Sequence, residues 1–394
     1  MIIVQVLSGL LFIYLFLTIG YMAFMAVAGR WGRIPHYTST LPKNKIAVVI
    51  PSFREDHIIV ETVQQAVSHN YPDGLFRVVV VADQLQQETV VTLRKLPVDV
   101  LEVSVSMKSR SILAALTFLD GKGFNIAVIL DADNVMGNNC LELINAAFVN
   151  GCQALQCHRT AKNQDTPVAL LDAISEEINV NLFRRGPVAA GLPASPAGSG
   201  MAFSFPLLKA IFSLPSILDN PGEDREIDMQ LMKRGIFMHF LDDAYVYDEK
   251  VASKQVFEKQ RVRWLEAQWN HLHRFRDEDM QELPKNLVYC IKYFQNLLLP
   301  RVLLIMLLDI IFVIACLAQV WPLPGFFPGP AWWFVLVGLY AGVLVVSVPK
   351  RFYSLATLKA ASRVPGLMLS MVRALFKMKK GRKEFLHTPK DFRN

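Results

Sequence analysis

The chain has 394 residues, 53% of them hydrophobic, and a mean hydropathy of +0.31, more apolar than a soluble enzyme of this length, so part of it is predicted to lie in lipid. Its five scattered cysteines, none spaced as C-x-x-C, argue against a disulfide framework or a cysteine zinc site and place the soluble part in a reducing cytosol. The net charge of +7 sits in the tail: Lys350 to Asn394 carries twelve Lys/Arg against two Asp/Glu, which reads as an anchor to anionic lipid rather than a grip on nucleic acid.

Met1 to Val27 is almost continuously apolar, long enough to cross about 30 Å of hydrocarbon, and Arg30, Trp31 and Arg33 follow it. A signal peptide is the competing reading, but no basic residue precedes the stretch and it outruns an h-region. A retained helix over residues 1–29 is expected, with its N-terminus outside.

Residues 42–282 then alternate β-branched runs with helical stretches. KIAVVIPSF precedes ETVQQAVSHN, VDVLEVSV precedes SRSILAALTFL, and NIAVILDADN precedes CLELINAAFV, with FRVVVVADQ among them. Such alternation predicts an α/β domain with a mostly parallel sheet covered by helices. Ligands in open α/β sheets bind at the carboxyl ends of strands. The polar run ends therefore become candidates: Ser52 to Asp56, Asp83-Gln84, and Asp131 to Asn134.

Asp131-Ala132-Asp133 sets two carboxylates one residue apart after the apolar run AVIL, where both can converge on a cation and on ribose hydroxyls. Hard oxygen ligands favour Mg²⁺ or Mn²⁺. D-x-D triplets are common in surface turns, and the preceding strand is what singles this one out. Asn220 to Arg225 is a turn before a helix through IDMQLMKRG that ends on Gly235. Glu223 and Asp224 at its start read either as capping acids or as the site of the carboxylate that an inverting sugar transfer needs.

Gln260-Arg261-Val262-Arg263-Trp264 gathers two guanidinium groups, a carboxamide and an indole in a helical context. Arginine forks suit phosphate oxygens and an indole face suits a sugar ring. The competing reading is an interfacial helix with snorkelling arginines and a membrane-edge tryptophan. Beyond an interfacial helix at 283–301, two further spans are expected at 302–320 and 331–349, joined by WPLPGFFPGP. Lys350 and Arg351 return the chain to the inside, where residues 350–394 form the basic tail. Val364 to Phe376, too short to span, reads as an in-plane interfacial helix. Asp309 interrupts the second span and is either functional or turned towards Gln295, Arg301 or another helix.

In this order, the motifs resemble those of the membrane-integrated family-2 glycosyltransferases, the group that includes cellulose, chitin and hyaluronan synthases. The resemblance runs from Lys45 to Trp264 over PSFRED, Asp83, the D-x-D, GSGMAF at Gly198 to Phe203, Glu223-Asp224, and Q-x-x-R-W. It implies a GT-A fold, a nucleoside diphosphate sugar as donor, most often UDP-linked, and Mg²⁺ or Mn²⁺ bound by Asp133 with Asp131 beside it. Glu55 and Asp83 would hold ribose and base, with Ser52 and Lys108 in the same donor pocket. Asp131 would position nucleotide and sugar, Arg261 and Arg263 would clamp the diphosphate, and Asp224 would be the general base. Glu223, Gln260, Trp264 and the loop Gly198, Ser199 and Gly200 would meet the acceptor. Two positions depart from the pattern: Gly222 stands where a hydroxyl residue often precedes the acidic pair, and Lys108-Ser-Arg110 matches the basic donor motif only loosely. Gln156 and Arg159 are further candidates.

The function expected is metal-dependent inverting transfer of a hexosyl or N-acetylhexosaminyl group to a growing polysaccharide or oligosaccharide of the cell envelope. The enzyme would sit in the inner or plasma membrane with its catalytic domain cytosolic. Three crossings are few to enclose a polymer channel, so a second copy or an export partner would complete it. The alternative is transfer of one sugar to a lipid-linked acceptor. A catalytically silent nucleotide-sugar sensor or scaffold is a third class, against which the presence of both Asp133 and Asp224 argues.

Overall fold

The β-branched runs form strands β1 (Ile46–Phe53), β2 (Phe76–Asp83), β3 (Asp99–Val103) and β4 (Ile126–Ile129). They pair in parallel, β1 between β2 and β4, and β3 on β2. This is a computed structural model, and it describes residues 2–38, 41–220, 222–250, 254–278, 286–321 and 326–377. Alternation along β1 splits its side chains between two cores. Ala47 and Val49 join Val79, Val81 and the helix Lys108–Leu119 through Ile112 and Leu116. Ile46, Val48 and Ile50 join Val78, Val80 and the helices Asp56–Val67 and Cys140–Val149 through Ile59, Val63, Leu141 and Ile144. Burial on both faces is why these runs read as continuously apolar.

Four more strands extend the sheet: β5 (Val135–Met136), β6 (Ala154–Ala161), β7 (Met201–Ser204) and β8 (Met238–Asp248). The order is β3-β2-β1-β4-β7-β6-β8-β5. β7 runs antiparallel between β4 and β6, β6 and β8 are parallel, and β5 closes antiparallel on β8. The result is the expected α/β class, a mixed and mostly parallel sheet with helices on its faces. After β6 the helix Pro167–Val180 starts on Thr166, whose hydroxyl accepts from Ala169 N at 3.1 Å.

Among the described residues, three helices are long and apolar enough to cross a membrane: Ile2–Trp31, Arg301–Val320 and Pro330–Ser347. They share a core in which Leu15, Ile19 and Met22 meet Leu304, Leu308, Trp333 and Leu336, and which continues onto Ile174 and Ile178. A π-helical turn, Asn181–Arg185, ties this bundle to the sheet domain. Asn181 Nδ2 donates to Ala26 O and to Ser347 Oγ, both at 3.2 Å. A Cβ on Gly29 would overlap the Asn181 carboxamide, and one on Gly186 would overlap the Met25 carbonyl, so glycine permits this close approach.

Two expectations change. The amphipathic helix Val364–Lys377 packs on the Q-x-x-R-W helix Lys254–Glu278, with Met371 and Ala374 against Val262 and Leu265. Lys377 also pairs with Glu258 at 2.5 Å, so part of the helix's apolar face is used by protein. Asp309 is exposed on the outer side of its helix. Gln295 instead bonds Tyr21 Oη at 2.5 Å and Arg301 bonds Ser175, so neither expected partner is turned to it. The expected interfacial segment contains the helix Leu287–Leu297. Pro221, residues 279–285, residues 322–325 of the inter-span loop and residues 378–394 of the basic tail lie outside the described residues.

Candidate active site

The carboxyl ends of β1 and β4 open into a cavity of about 670 Å³, whose wall includes Ser52, Glu55, Asp131 and Asp133. The D-x-D segment is fixed by its neighbours. Asp131 N donates to Ser199 Oγ at 2.9 Å, and Thr62 Oγ1 donates to Ala132 O at 2.7 Å. Asn134, with its carbonyl oxygen taking the Ser199 hydroxyl at 2.7 Å, donates to Asp133 Oδ1 at 3.0 Å and to Asp248 Oδ1 at 3.2 Å. Ser199 is fully buried between Gly198 (φ +81°) and Gly200 (φ +65°), left-handed conformations that glycine adopts without strain. A Cβ on Gly200 would lie 3.0 Å from Val246 Cγ2. Of the loop expected at the acceptor, Gly198 therefore forms cavity wall, while Ser199 and Gly200 support the D-x-D from behind.

Lys108 stands at the first turn of its helix and reaches across the cavity. Its Nζ lies 2.6 Å from Asp131 Oδ1 and 3.4 Å from Glu223 Oε1, and it donates to Gly198 O at 2.7 Å. Burial alone would pull the amine down, but Asp131, Glu223 and Asp224 hold it above the usual lysine value. Burial pushes the Glu223 carboxyl up, against the pull of Lys108. Asp224 accepts from Arg225 N at 2.8 Å through Oδ1, while Oδ2 lies towards Gly198. Gly222, the departure from the family pattern, caps this helix where the Q-x-x-R-W helix passes: a Cβ there would lie 3.0 Å from Ala267 Cβ.

Arg263 lines the cavity within electrostatic reach of Asp131, Glu223 and Asp224. Arg261 also lines the cavity but pairs within its wall. Its Nη2 lies 2.7 Å from Asp172 Oδ1, and its guanidinium lies 4.1 Å from the centre of the Trp264 ring, a cation–π stack. Trp264 is 38% exposed and so keeps surface for a ligand. The oxygens Ser52 Oγ and Gln260 Oε1 line the cavity, buried and without a hydrogen-bond partner among the described residues. Asp83 is placed differently from expectation. It is 1% exposed and accepts from Val105 N at 3.1 Å and Ser106 N at 2.7 Å. It shapes the loop that delivers Ser106 (φ +54°) and Lys108 to the cavity.

Several cavity residues escaped the sequence reading. Asp172 and Glu176 are spaced one turn apart on Pro167–Val180, and that spacing is the sole signal they give. Glu176 takes Arg159 Nη2 at 3.1 Å, with Lys250 at 3.5 Å and Arg184 at 3.9 Å. Burial opposes its ionisation, yet Arg159, Lys250 and Arg184 hold it well below the usual carboxylate range. Asp228, one turn beyond Asp224, pairs with Lys292 at 3.1 Å, and Arg225 Nη1 donates to Asn296 at 2.8 Å. These contacts lock the Asp224 helix to Leu287–Leu297. Gln156 is buried under the glycine loop, bonding Ser199 O and Ala197 N, both through its carboxamide.

Among the described residues no three His, Cys, Asp or Glu side chains form a metal cage. A pair of carboxylates at a polar wall nevertheless suits Mg²⁺ or Mn²⁺, which commonly take one or two protein oxygens and fill their shell with water and phosphate.

Residues 42–267 match the family described as Glycosyltransferase like family 2. No curated protein matches the chain. Among solved structures, the mannosyltransferase PcManGT from Pyrobaculum calidifontis, in complex with GDP-Man and Mn²⁺, superposes with a TM-score of 0.57 at 15% identity, over 95% of this chain and 98% of that one. S. aureus TarS 1-349 gives 0.43 at 15% identity, over 85% of this chain and 92% of that one. Glucosyl-3-phosphoglycerate synthase from Mycobacterium tuberculosis, with Mn²⁺ and UDP, also gives 0.43 at 15%, over 62% of this chain and 89% of that one. At such identities the likeness is one of fold.

Proposed function

The chain belongs to the glycosyltransferase-like family 2 with a GT-A fold, and on that premise we propose that it is an inverting transferase moving a hexosyl or N-acetylhexosaminyl group from a UDP-linked donor to an acceptor at the membrane. One observation carries the reading: Lys108, Asp131, Glu223, Asp224 and Arg263, widely separated in sequence, converge on one cavity at the strand ends.

The chemistry follows from which carboxylates are engaged. Lys108 pairs with Asp131 and Glu223, which leaves Asp224 as the acid at the acceptor side. The acceptor hydroxyl attacks the anomeric carbon, its proton passes to the Asp224 carboxylate, and the bond from the anomeric carbon to the diphosphate breaks. Arg263 meets the charge that grows on the leaving diphosphate, and Glu55 and Ser52 contact the nucleoside. Mg²⁺ or Mn²⁺ on Asp133, with Asp131 beside it, supplies Lewis-acid neutralisation of that diphosphate when bound. Trp264, stacked on Arg261, offers its exposed surface to the acceptor sugar. Residues 42–282 form the cytosolic catalytic domain, with the N-terminus outside, in the inner or plasma membrane. The motifs alone favour extension of a saccharide, with a second copy or an export partner completing its exit, over the alternative, transfer of one sugar to a lipid-linked acceptor.

The test uses the full chain in detergent with Mn²⁺ and a panel of UDP- and GDP-sugars, following nucleotide release and product size. Release that depends on donor, and stops in Asp224→Asn, is the expected result. A protein that binds UDP yet releases nucleotide from no donor, with saccharide and lipid acceptors supplied, would instead be a sensor or scaffold.

A further inference from the structure

The cavity does not end at Asp224 and Trp264. Its wall continues onto Leu299 and Ile305 around the start of Arg301–Val320, onto Leu344 of Pro330–Ser347, and onto Leu367, Met368 and Met371 of Val364–Lys377. All but Leu299 come from two helices apolar enough to cross a membrane and from the amphipathic helix Val364–Lys377. Leucine, isoleucine and methionine offer no hydrogen bonds to sugar hydroxyls, and burying such hydroxyls against them is unfavourable. Polar side chains of the same cavity, among them Ser175, Gln295 and Asn296, can meet sugar hydroxyls, and these apolar ones cannot. An alkyl or isoprenoid chain would be well matched, since each buried methylene contributes favourably.

Arg301 stands where the polar wall gives way to the apolar one. Its Nη2 donates to Ser175 O and Ser175 Oγ, both at 2.6 Å. Both acceptors are neutral, so these contacts orient the guanidinium, while Glu176 and Asp172 lie within its electrostatic reach and Arg261 opposes it. A cation held at the mouth of an apolar arm fits an anionic group that links a polar head to a long chain.

We infer that this arm receives the lipid of a phosphate-linked acceptor, with its reacting hydroxyl at Asp224, its phosphate at Arg301 and its chain between Leu344 and Met368. The inference rests on the transferase reading above and adds the class of acceptor. It favours a single transfer to a lipid-borne acceptor over extension of a free polymer.

The experiment takes the full chain in phosphatidylcholine nanodiscs with a diazirine-bearing farnesyl phosphate as probe, and maps the labelled peptides by mass spectrometry. Label is expected on the peptides holding Leu344 and Met368, displaced by farnesyl phosphate and much less by farnesol. Met368→Trp and Leu344→Trp, which fill the arm, should each cut that labelling by about tenfold. Arg301→Gln should weaken competition by farnesyl phosphate by about tenfold and leave that by farnesol unchanged, with Arg301→Lys recovering part of it. UDP binding with Mn²⁺, measured in parallel, reports that each variant is folded. Its absence in the wild type alongside intact labelling would sink the donor reading, and the acceptor role with it, while the lipid-phosphate arm itself stood. Label confined to outward residues such as Ile310 and Phe312, and equal in all variants, would overturn the arm. Displacement by phosphatidylglycerol as effective as by farnesyl phosphate would show a bilayer-lipid pocket and overturn the acceptor assignment.

Discussion

Two ionic clusters lie on either side of β6, and adjacent residues of that strand belong to different ones. Arg159 lines the cavity, where acids gather around Lys108 and Arg263. His158 belongs to the other cluster and is not part of the cavity wall. Its Nδ1 lies 3.1 Å from Asp242 Oδ1 and its Nε2 3.4 Å from Glu177 Oε2. Arg185 meets Asp242 Oδ2 at 2.5 Å, Arg351 meets Glu177 Oε1 at 2.6 Å, and Thr160 Oγ1 donates to Glu177 Oε1 at 2.7 Å. The His158 cluster is closed, with each charge facing its opposite, and it joins β6, β8, the π-turn and the residues just after the last apolar helix. The cavity cluster is left open: Lys108 and Arg263 face three carboxylates, Asp131, Glu223 and Asp224, and Asp224 makes no direct ion pair in the contacts above. Closed pairing suits holding a bundle to a sheet, and open pairing suits a ligand. Substitutions in the two should therefore separate: chemistry lost without stability in one, stability lost without chemistry in the other.

The largest expected effect is in the cavity. Chelation by EDTA, or Asp133→Ala, should abolish turnover in nucleotide-release assays, because the leaving diphosphate loses the cation that stabilises it. Near-normal rates after either treatment would remove the D-x-D from the mechanism. Next, Asp224→Asn should lower the rate by about 10² to 10⁴ with UDP affinity and melting temperature near wild type, since asparagine serves equally at a helix start. Glu223→Gln is the control. If it is inactive while Asp224→Asn turns over normally, the base is Glu223 and the pairing with Lys108 has been misread.

The open side of this comparison was more legible than the closed side. The parallel half of the sheet and its strand-end carboxylates follow from alternation over a few residues, and Asp131, Asp133, Glu223 and Asp224 could be found because each adjoins a strand or helix end. The antiparallel insertion of β7 left no such mark, because nothing in MAFS tells an antiparallel strand from a parallel one. Asp172 and Glu176 were missed because the partners that bury them, Arg261 and Arg159, are not adjacent in sequence. Nothing local to LLDAISEEI tells a solvated helix from one that buries Asp172 against Arg261. For the same reason Arg261 and Arg263 looked equivalent two residues apart, although their guanidinium groups go to different partners.

A smaller effect is expected from Glu177→Gln. It keeps the hydrogen bond from Thr160 but removes the charge opposite His158 and Arg351. Breaking a buried pair costs roughly 3 kcal/mol or more, less here because Arg351 is half-exposed and can turn to water. Thermal unfolding in detergent should move down by several degrees, while the rate per folded molecule and the Mn²⁺ dependence stay unchanged. A collapse of the rate at an unchanged melting temperature would show that the closed cluster takes part in the chemistry.

The smallest effect is a pH dependence confined to the closed cluster. Burial of His158 would by itself lower its pKa, but Asp242 and Glu177 override that and raise it to about 9. Burial opposes ionisation of Glu177 and Asp242 too, yet His158, with Arg351 and Arg185, keeps both carboxyls below their usual values. Both stay ionised across the window that matters. An unfolded histidine titrates near 6.5, so the folded state binds the additional proton between about 6.5 and about 9. The cluster's contribution is then fully present below about 6.5, declines as pH rises, and is lost above about 9, with a ceiling of about 3 kcal/mol. Wild-type melting temperature should fall across that range, and His158→Gln should start lower and flatten the slope. A wild-type curve flat from pH 6.5 to 9 would mean a neutral imidazole held by hydrogen bonds alone. If the variant also shifted the pH profile of the rate per folded molecule, the two clusters would be one electrostatic unit, since nothing else in the substitution touches Lys108, Asp131 or Asp224.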